Sequence, residues 1–285
     1  MFHIYKYETI HWWNCYNLAM TGCIVFADID GTLLNSDHKL SLKTKSAILS
    51  LQKQGIPFVI VSARPPMGIY PILEENHFSC PIVAFSGGMI LDENRNVLFS
   101  SGFSLEKAKR IIEATKEFEE AAIWNIYSPD RWLVPDGNDF RVRREADIVH
   151  AEPETICLED IPEDICVNKV LLMVDPQRMD EIEAKMKSLF QDLTIAKSCE
   201  YLLELNLNVN KAMALRKCCE HYGVDVASSI AFGDNYNDMP MLLEAGTPYL
   251  MGNAPEELKR RIANVTLDND HDGIFVALQK LHLIS

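Results

Sequence analysis

The chain has 285 residues, 48% of them hydrophobic and 24% charged, with a formal net charge of -14. That length and apolar content support one large or two modest domains with cores of their own. The acidic balance argues against nucleic acid or an anionic membrane as the main partner, and no run of about 18 apolar residues exists to span a bilayer.

Residues 1–21 read as an N-terminal appendage. They are aromatic-rich and lack both a continuous apolar stretch and the small-residue cleavage site of a signal peptide. "CIVFADI", "PFVIVSA" and "PIVAFSG" come next as strand-like runs rich in Val, Ile and Phe. Between the first two, residues 41–54 predict a helix stopped by Gly55; after the second, residues 67–77 predict another. Strand and helix in alternation predict a parallel sheet with helices on both faces.

The middle of the chain changes character. Leu105, Ala108, Ile111, Ile112 and Phe118 fall on one face of a helix over 104–120, with Ser104 as its N-cap. Strand-like pieces appear in "AAIWNIYSPDRWLVPDG" and "NKVLLMVD", and a helix over 178–190 aligns Met179, Ile182, Met186 and Leu189. This is an α+β pattern. From "NKAMALRKCCEHYG" onward the α/β alternation returns: helix to Gly223, strand "SSIAFGD", helix "YNDMPMLLEAG", strand "PYLMGN", helix "PEELKRRIANV". The expected fold is therefore α/β: a doubly wound, Rossmann-like parallel-sheet core over 22–101 and 201–285, interrupted by an inserted α+β cap over 102–200.

The unusual polar residues gather at strand ends. Asp28 and Asp30 come after "CIVFA", Ser62-Ala63-Arg64 after "PFVIV", and Asp234 and Asp238 after "SSIAF" in "GDNYND". In open α/β sheets ligands bind at the carboxyl ends of the strands. Two carboxylates about 4 Å apart repel by roughly 4 kcal/mol at an effective dielectric of about 20. A converging group of them calls for a cation, and oxygen-only donors favour a hard ion such as Mg²⁺. Lys211, opening a helix, supplies a further positive charge.

"DIDGTLL", a Ser after the second strand, a Lys at a helix start and "GDNYND" resemble the four ordered motifs of the haloacid dehalogenase-like hydrolases. With the insertion between the Ser and Lys motifs and the tail "MGNAPEELKRRIANVTLDNDHDGI", residues 22–280 resemble the Cof-type, or IIB, sugar phosphatases. The resemblance implies that Asp28 is a nucleophile taking the phosphoryl group, and that Asp30 is the general acid and base. A strand's side chains at i and i+2 share one face, which would bring both aspartates to one phosphate. Ser62, Lys211 and Asn237, with Arg64 by analogy, are implied phosphate contacts. Asp28, the backbone carbonyl of Asp30, Asp234 and Asp238 are implied at the Mg²⁺, Asp238 also orienting Lys211.

Three departures stand out. Ser62-Ala63-Arg64 replaces the family's frequent Thr-Gly-Arg, Ser86-Gly87-Gly88 replaces Asn-Gly-Ala, and Ala212 replaces the Gly after the motif lysine.

The function implied is hydrolysis of a small phosphorylated metabolite, a sugar phosphate or similar, by a cytoplasmic monomer or weak homo-oligomer. The eight cysteines, with no CxxC pair, suit a reducing compartment. A phosphotransferase or mutase on the same core is the nearest alternative, and a non-catalytic phosphometabolite-binding regulator a more distant one. In the insertion, Arg141, Arg143 and Arg144 read as a solvated face, as partners for Glu145 and Asp147, or as an anion contact. Trp124, Tyr127 and Trp132 read as core or as pocket lining.

Overall fold

In a computed structural model, residues 22–118, 120–149 and 151–284 are described. The appendage expected over residues 1–21 lies outside them.

The first apolar run forms strand β1 (Ile24–Ala27), every residue buried. Helix α1 (Leu42–Lys53) comes next, capped by Ser41, whose hydroxyl accepts from the Thr44 N–H. Thr44, Ala47, Ile48 and Leu51 are its buried stripe, and Gly55 turns the chain away at φ +74°. Strand β2 (Phe58–Val61) is again fully buried. The helix expected over 67–77 is shorter: a 3₁₀ turn at Pro66–Gly68 precedes α2 (Tyr70–Glu75). Strand β3 (Ile82–Ala84) leads to β4 (Met89–Leu91), which pairs with it antiparallel, and to β5 (Val97–Ser100). Neither β4 nor β5 stood out in the sequence, because both are short and β5 is half-exposed.

The next stretch holds β6 (Phe103–Ser104), α3 (Leu105–Thr115), β7 (Ala122–Tyr127), β8 (Trp132–Val134) and α4 (Phe140–Val149). It continues with β9 (Glu154–Thr155), β10 (Cys166–Val167), β11 (Lys169–Val174), α5 (Met179–Leu189), β12 (Leu193–Cys199) and β13 (Leu202–Leu207). Leu189, expected on the buried stripe of α5, is 52% exposed. The helix ends there, and Phe190 turns inward in its place. Helix α4 was not foreseen. Its buried stripe is only Val142, Ala146 and Val149, too narrow to emerge from the charges around it.

The chain then forms α6 (Lys211–Tyr222), β14 (Ser229–Gly233), α7 (Met239–Glu244), β15 (Thr247–Leu250), α8 (Glu256–Lys259) and α9 (Gly273–Lys280). Helix α8 is shorter than "PEELKRRIANV" suggests. The chain must straighten to lay Asn264–Thr266 beside β15: the Leu250 N–H donates to the Asn264 carbonyl, and the Thr266 N–H donates to the Leu250 carbonyl.

Two compact units result. One comprises residues 22–63, Ile72–Leu98 and 210–284; the other comprises Arg64–Pro71 and Phe99–Val209. The first is built on a sheet of order β15-β14-β1-β2-β3-β4-β5, parallel from β15 through β3. The second is built on a sheet of order β12-β13-β11-β7-β8-β9, with β10 and β6 as a separate pair. Ile111, Ile112, Ile182 and Met186 of α3 and α5 pack against Ile126, Val170, Leu172, Leu203 and Leu205 on one face of that sheet. This is the α/β class that the alternation predicts. Among the described residues no helix is long and apolar enough to cross a membrane.

Candidate active site

Register puts the carboxyl ends of β1, β2 and β14 side by side. Ala27 pairs with Ile60 on one flank and with Phe232 on the other. The residues just past these three strands are therefore collected along one edge. They are Asp28, Ser62 and Asp234.

Asp28 lies just past β1, its N–H donating to the Phe232 carbonyl at 3.1 Å. The strand has already ended, so strand parity does not bring Asp28 and Asp30 together. A turn does that instead: the Leu33 N–H donates back to the Asp28 carbonyl and the Leu34 N–H to the Ile29 carbonyl. Gly31, at φ +78°, permits that turn. A side chain there would collide with the Asp234 carboxylate. Asp28 is buried, at 6% exposure, whereas Asp30 is exposed.

Lys211 enters from the first turn of α6. Asn210 caps this helix, its side-chain oxygen accepting from the Met213 N–H at 2.9 Å. The lysine is 1% exposed, and its Nζ donates to Asp28 Oδ1 at 2.5 Å and to Asp238 Oδ1 at 2.6 Å. Asp238 is itself fixed from the other side. Its Oδ2 accepts from the N–H groups of Asp234 and Asn235 at 2.9 and 3.0 Å. Gly233 makes this approach possible, since a Cβ there would overlap the Asp238 side chain. Asp234 is held by Thr32, whose hydroxyl donates to Oδ1 at 2.7 Å.

One oxygen from each of Asp28, Asp234 and Asp238 lies within 4.8 Å of the others. Burial pushes the Asp28 carboxyl up to about 8, opposed by Lys211 and aided by Asp238. Burial likewise raises Asp234 to about 6, against the pull of the Thr32 hydrogen bond. For Lys211 burial works to lower the pKa, but Asp28 and Asp238 outweigh it and raise it, so the ammonium stays charged. One ammonium therefore offsets three crowded carboxylates incompletely.

Of the remaining sequence candidates, Ser62 shares this edge, and Asn237 and Arg64 lie outside the carboxylate cluster. Ser62 is buried at the end of β2, its N–H donating to the Val83 carbonyl at 2.8 Å. Asn237 is exposed in the 3₁₀ turn Tyr236–Asp238. Arg64 belongs to the second unit, where Nη1 donates to the Gly68 carbonyl at 3.3 Å. In that unit Arg141 pairs with Asp139, Arg143 pairs with Glu152, and Arg144 lies 3.6 Å over the Tyr201 ring. Tyr127 and Trp132 are buried and stacked at 5.4 Å, with Trp132 donating to Asn125 Oδ1. Trp124 is half-buried against the unit's core. Two supports escaped the sequence reading: the Thr32 contact to Asp234, and Asn253, whose Nδ2 donates to the Gly31 carbonyl at 2.8 Å. For Asn253 a signal existed in "MGN", just past β15.

A parallel sheet carrying acids and a buried lysine along its carboxyl edge is an α/β fold with its charged groups where such sheets bind ligands. A family model for haloacid dehalogenase-like hydrolases matches residues 25–278. A protein of Haemophilus influenzae is 33% identical over 259 residues, covering 90% of this chain and 97% of its own. The phosphatase YwpJ of Bacillus subtilis is 25% identical, with 88% of this chain and 96% of its own covered. The solved structure of a haloacid dehalogenase-like hydrolase from Bacteroides thetaiotaomicron superposes with a TM-score of 0.83 at 28% identity, covering 90% of this chain and 98% of its own. The chain belongs to the haloacid dehalogenase-like hydrolases, as a Cof-type phosphatase.

Proposed function

We propose that this phosphatase is Mg²⁺-dependent and hydrolyses small phosphomonoesters, a sugar phosphate or related metabolite, through a phosphoryl group carried on Asp28. The observation that carries the reading is Lys211 Nζ bridging Asp28 and Asp238, with Asp234 beside them.

The donor set fits the metal. It consists of crowded carboxylate oxygens without nitrogen or sulfur, and burial raises the Asp28 and Asp234 carboxyls, a cost that a bound cation would offset. Asp28, Asp234 and the Asp30 carbonyl would hold Mg²⁺. When bound, it would keep Asp28 ionised and balance phosphate charge. Both Asp238 oxygens are already engaged, which favours Asp238 as the residue that orients Lys211.

The chain's own groups then divide the reaction. A carboxylate oxygen of Asp28 attacks phosphorus as the bond to the ester oxygen breaks, and Asp30 passes its proton to the departing alkoxide. Exposure suits Asp30 to exchanging protons. Water then attacks the phosphorus of the acyl phosphate, Asp30 accepts its proton, and phosphate leaves with Asp28 restored. Lys211 and Ser62 hold phosphoryl oxygens while charge shifts, the placement and electrostatics on which phosphoryl transfer depends.

A relative from Bacillus subtilis, 26% identical over 283 residues, is named for hydrolysing 5-amino-6-(5-phospho-D-ribitylamino)uracil, a phosphorylated polyol derivative. That supports a small hydroxylated phosphomonoester as substrate here. The test is phosphate release from a panel of such esters with Mg²⁺, repeated after EDTA. Release that survives EDTA rejects the metal, and no release from any ester rejects the substrate class.

A further inference from the structure

Immediately after β3 the backbone enters the left-handed region at three consecutive residues: Phe85 at φ +53°, Ser86 at +55° and Gly87 at +110°. A buried phenylalanine and a serine seldom adopt this conformation, and it persists only where its surroundings impose it. Strain of this kind clusters where a site needs something held.

Two neighbours show what is held. The Ser86 N–H donates to the Ser62 carbonyl at 2.9 Å, tying the turn to the end of β2. Gly87 lies flat against Asn210. A Cβ on residue 87 would stand 2.8 Å from the Asn210 carbonyl carbon and closer still to its oxygen. Asn210 caps α6, its carbonyl accepts from the Ala214 N–H at 3.3 Å, and the next residue is Lys211. The turn is thus a backstop for the peptide that aims the lysine.

We propose that the Phe85–Gly87 turn sets the position of Lys211, with Gly87 as a positioning residue that no side chain can replace. This rests on the phosphatase reading for its kinetic consequence and on geometry alone for its structural one. Gly87 has two requirements that only glycine meets: the positive φ and the bare approach to Asn210. Lys211 cannot yield smoothly, because its Nζ must reach Asp28 and Asp238 together within 2.6 Å.

Gly223 provides the control. It caps the other end of the same helix at φ +65°, with nothing within 4 Å of where its Cβ would be. Gly87→Ala strains the turn beside the N-terminus of α6, at φ +110°, and Gly223→Ala strains the C-terminal cap of the same helix, at φ +65°; only the first presses on Asn210. Gly87→Ala is expected to lower kcat by up to about 100-fold, the effect of displacing a positioned group by about 1 Å. Gly223→Ala is expected to lower the melting temperature with kcat per folded molecule unchanged. A crystal structure of Gly87→Ala should show Asn210 displaced and Lys211 parted from one of its two carboxylates. Equal kcat in the two variants, or a Lys211 superposing on the parent, overturns the inference. If Gly87→Ala does not fold, Ser86→Gly decides. It relieves left-handed strain and loosens the turn, so kcat should fall while the melting temperature holds or rises; unchanged kcat overturns the inference. If the parent protein releases no phosphate, the phosphatase reading is lost, and the Lys211 position in the variant structure still decides this one.

Discussion

Asp238 faces Lys211 with one carboxylate oxygen, 2.6 Å from Nζ, and accepts two backbone N–H groups with the other. The same side chain therefore aims the lysine and closes the turn that carries Asp234. Asp238→Asn keeps the shape but swaps one charged acceptor for an amide. kcat should fall by about 100-fold, with folding retained. Asp238→Ala leaves Lys211 buried with one partner fewer and the turn uncapped. It should lose about 3–5 kcal/mol of stability, the usual effect of breaking a buried charge pair. Steady-state kinetics and urea unfolding of both variants separate the two roles. Equal stability loss in both would show that orientation of Lys211 is not a distinct role.

In the proposed reaction Asp28 carries the phosphoryl group. Asp28→Asn should lower phosphate release by several orders of magnitude, since an amide is a far weaker nucleophile than the carboxylate. Its melting temperature should fall less than that of Asp238→Ala, because the amide deprives Lys211 of one charged partner but escapes the burial that raises the Asp28 carboxyl to about 8. Phosphate release near parental levels would remove the nucleophile assignment.

The parts legible in the sequence were those written locally. Strand–helix alternation marks the parallel sheet, and Asp28, Ser62 and Asp234, each just past a strand-like run, mark its carboxyl edge. Asp28 and Asp30 lie past the end of β1 at Ala27, in a turn closed by the Leu33 and Leu34 N–H groups, so strand parity is not what places them. Thr32 illustrates a contact that sequence could not carry. A threonine after Asp-Gly reads as a local turn residue, yet its hydroxyl reaches Asp234, 202 positions away. Only the adjacency of β1 and β14 creates that contact. Helix α4 was hidden for a different reason, its three buried positions being outnumbered by charges.

Thr32 yields the next prediction. Its hydroxyl restrains the rise of the Asp234 carboxyl and fixes the orientation of that group. Thr32→Val preserves volume and leaves Asp234 without the bond. The Mg²⁺ concentration for half-maximal activity should rise about 10-fold, the low end of the effect seen when a ligand's hydrogen-bond partner is removed. Thr32→Ser should restore it. A loss of kcat with unchanged Mg²⁺ dependence would assign Thr32 to the turn alone.

The two raised carboxyls also set a pH dependence. Asp28 at about 8 and Asp234 at about 6 both exceed the value of about 4 expected in the unfolded chain. The folded state thus holds these protons more tightly than the unfolded state. The stability they contribute is full below about pH 4, and is lost as pH rises through about 6 and then about 8. Metal-free protein should therefore lose melting temperature through this window beyond the drift of the Asp28→Asn variant. If Mg²⁺ binds these carboxylates as proposed, it competes with those protons, and its stabilising effect should grow with pH. The shift in melting temperature on adding Mg²⁺ should be several degrees larger at pH 8 than at pH 5.5. A shift independent of pH would mean that the metal binds without meeting the Asp28 and Asp234 protons, and would place it elsewhere on the chain.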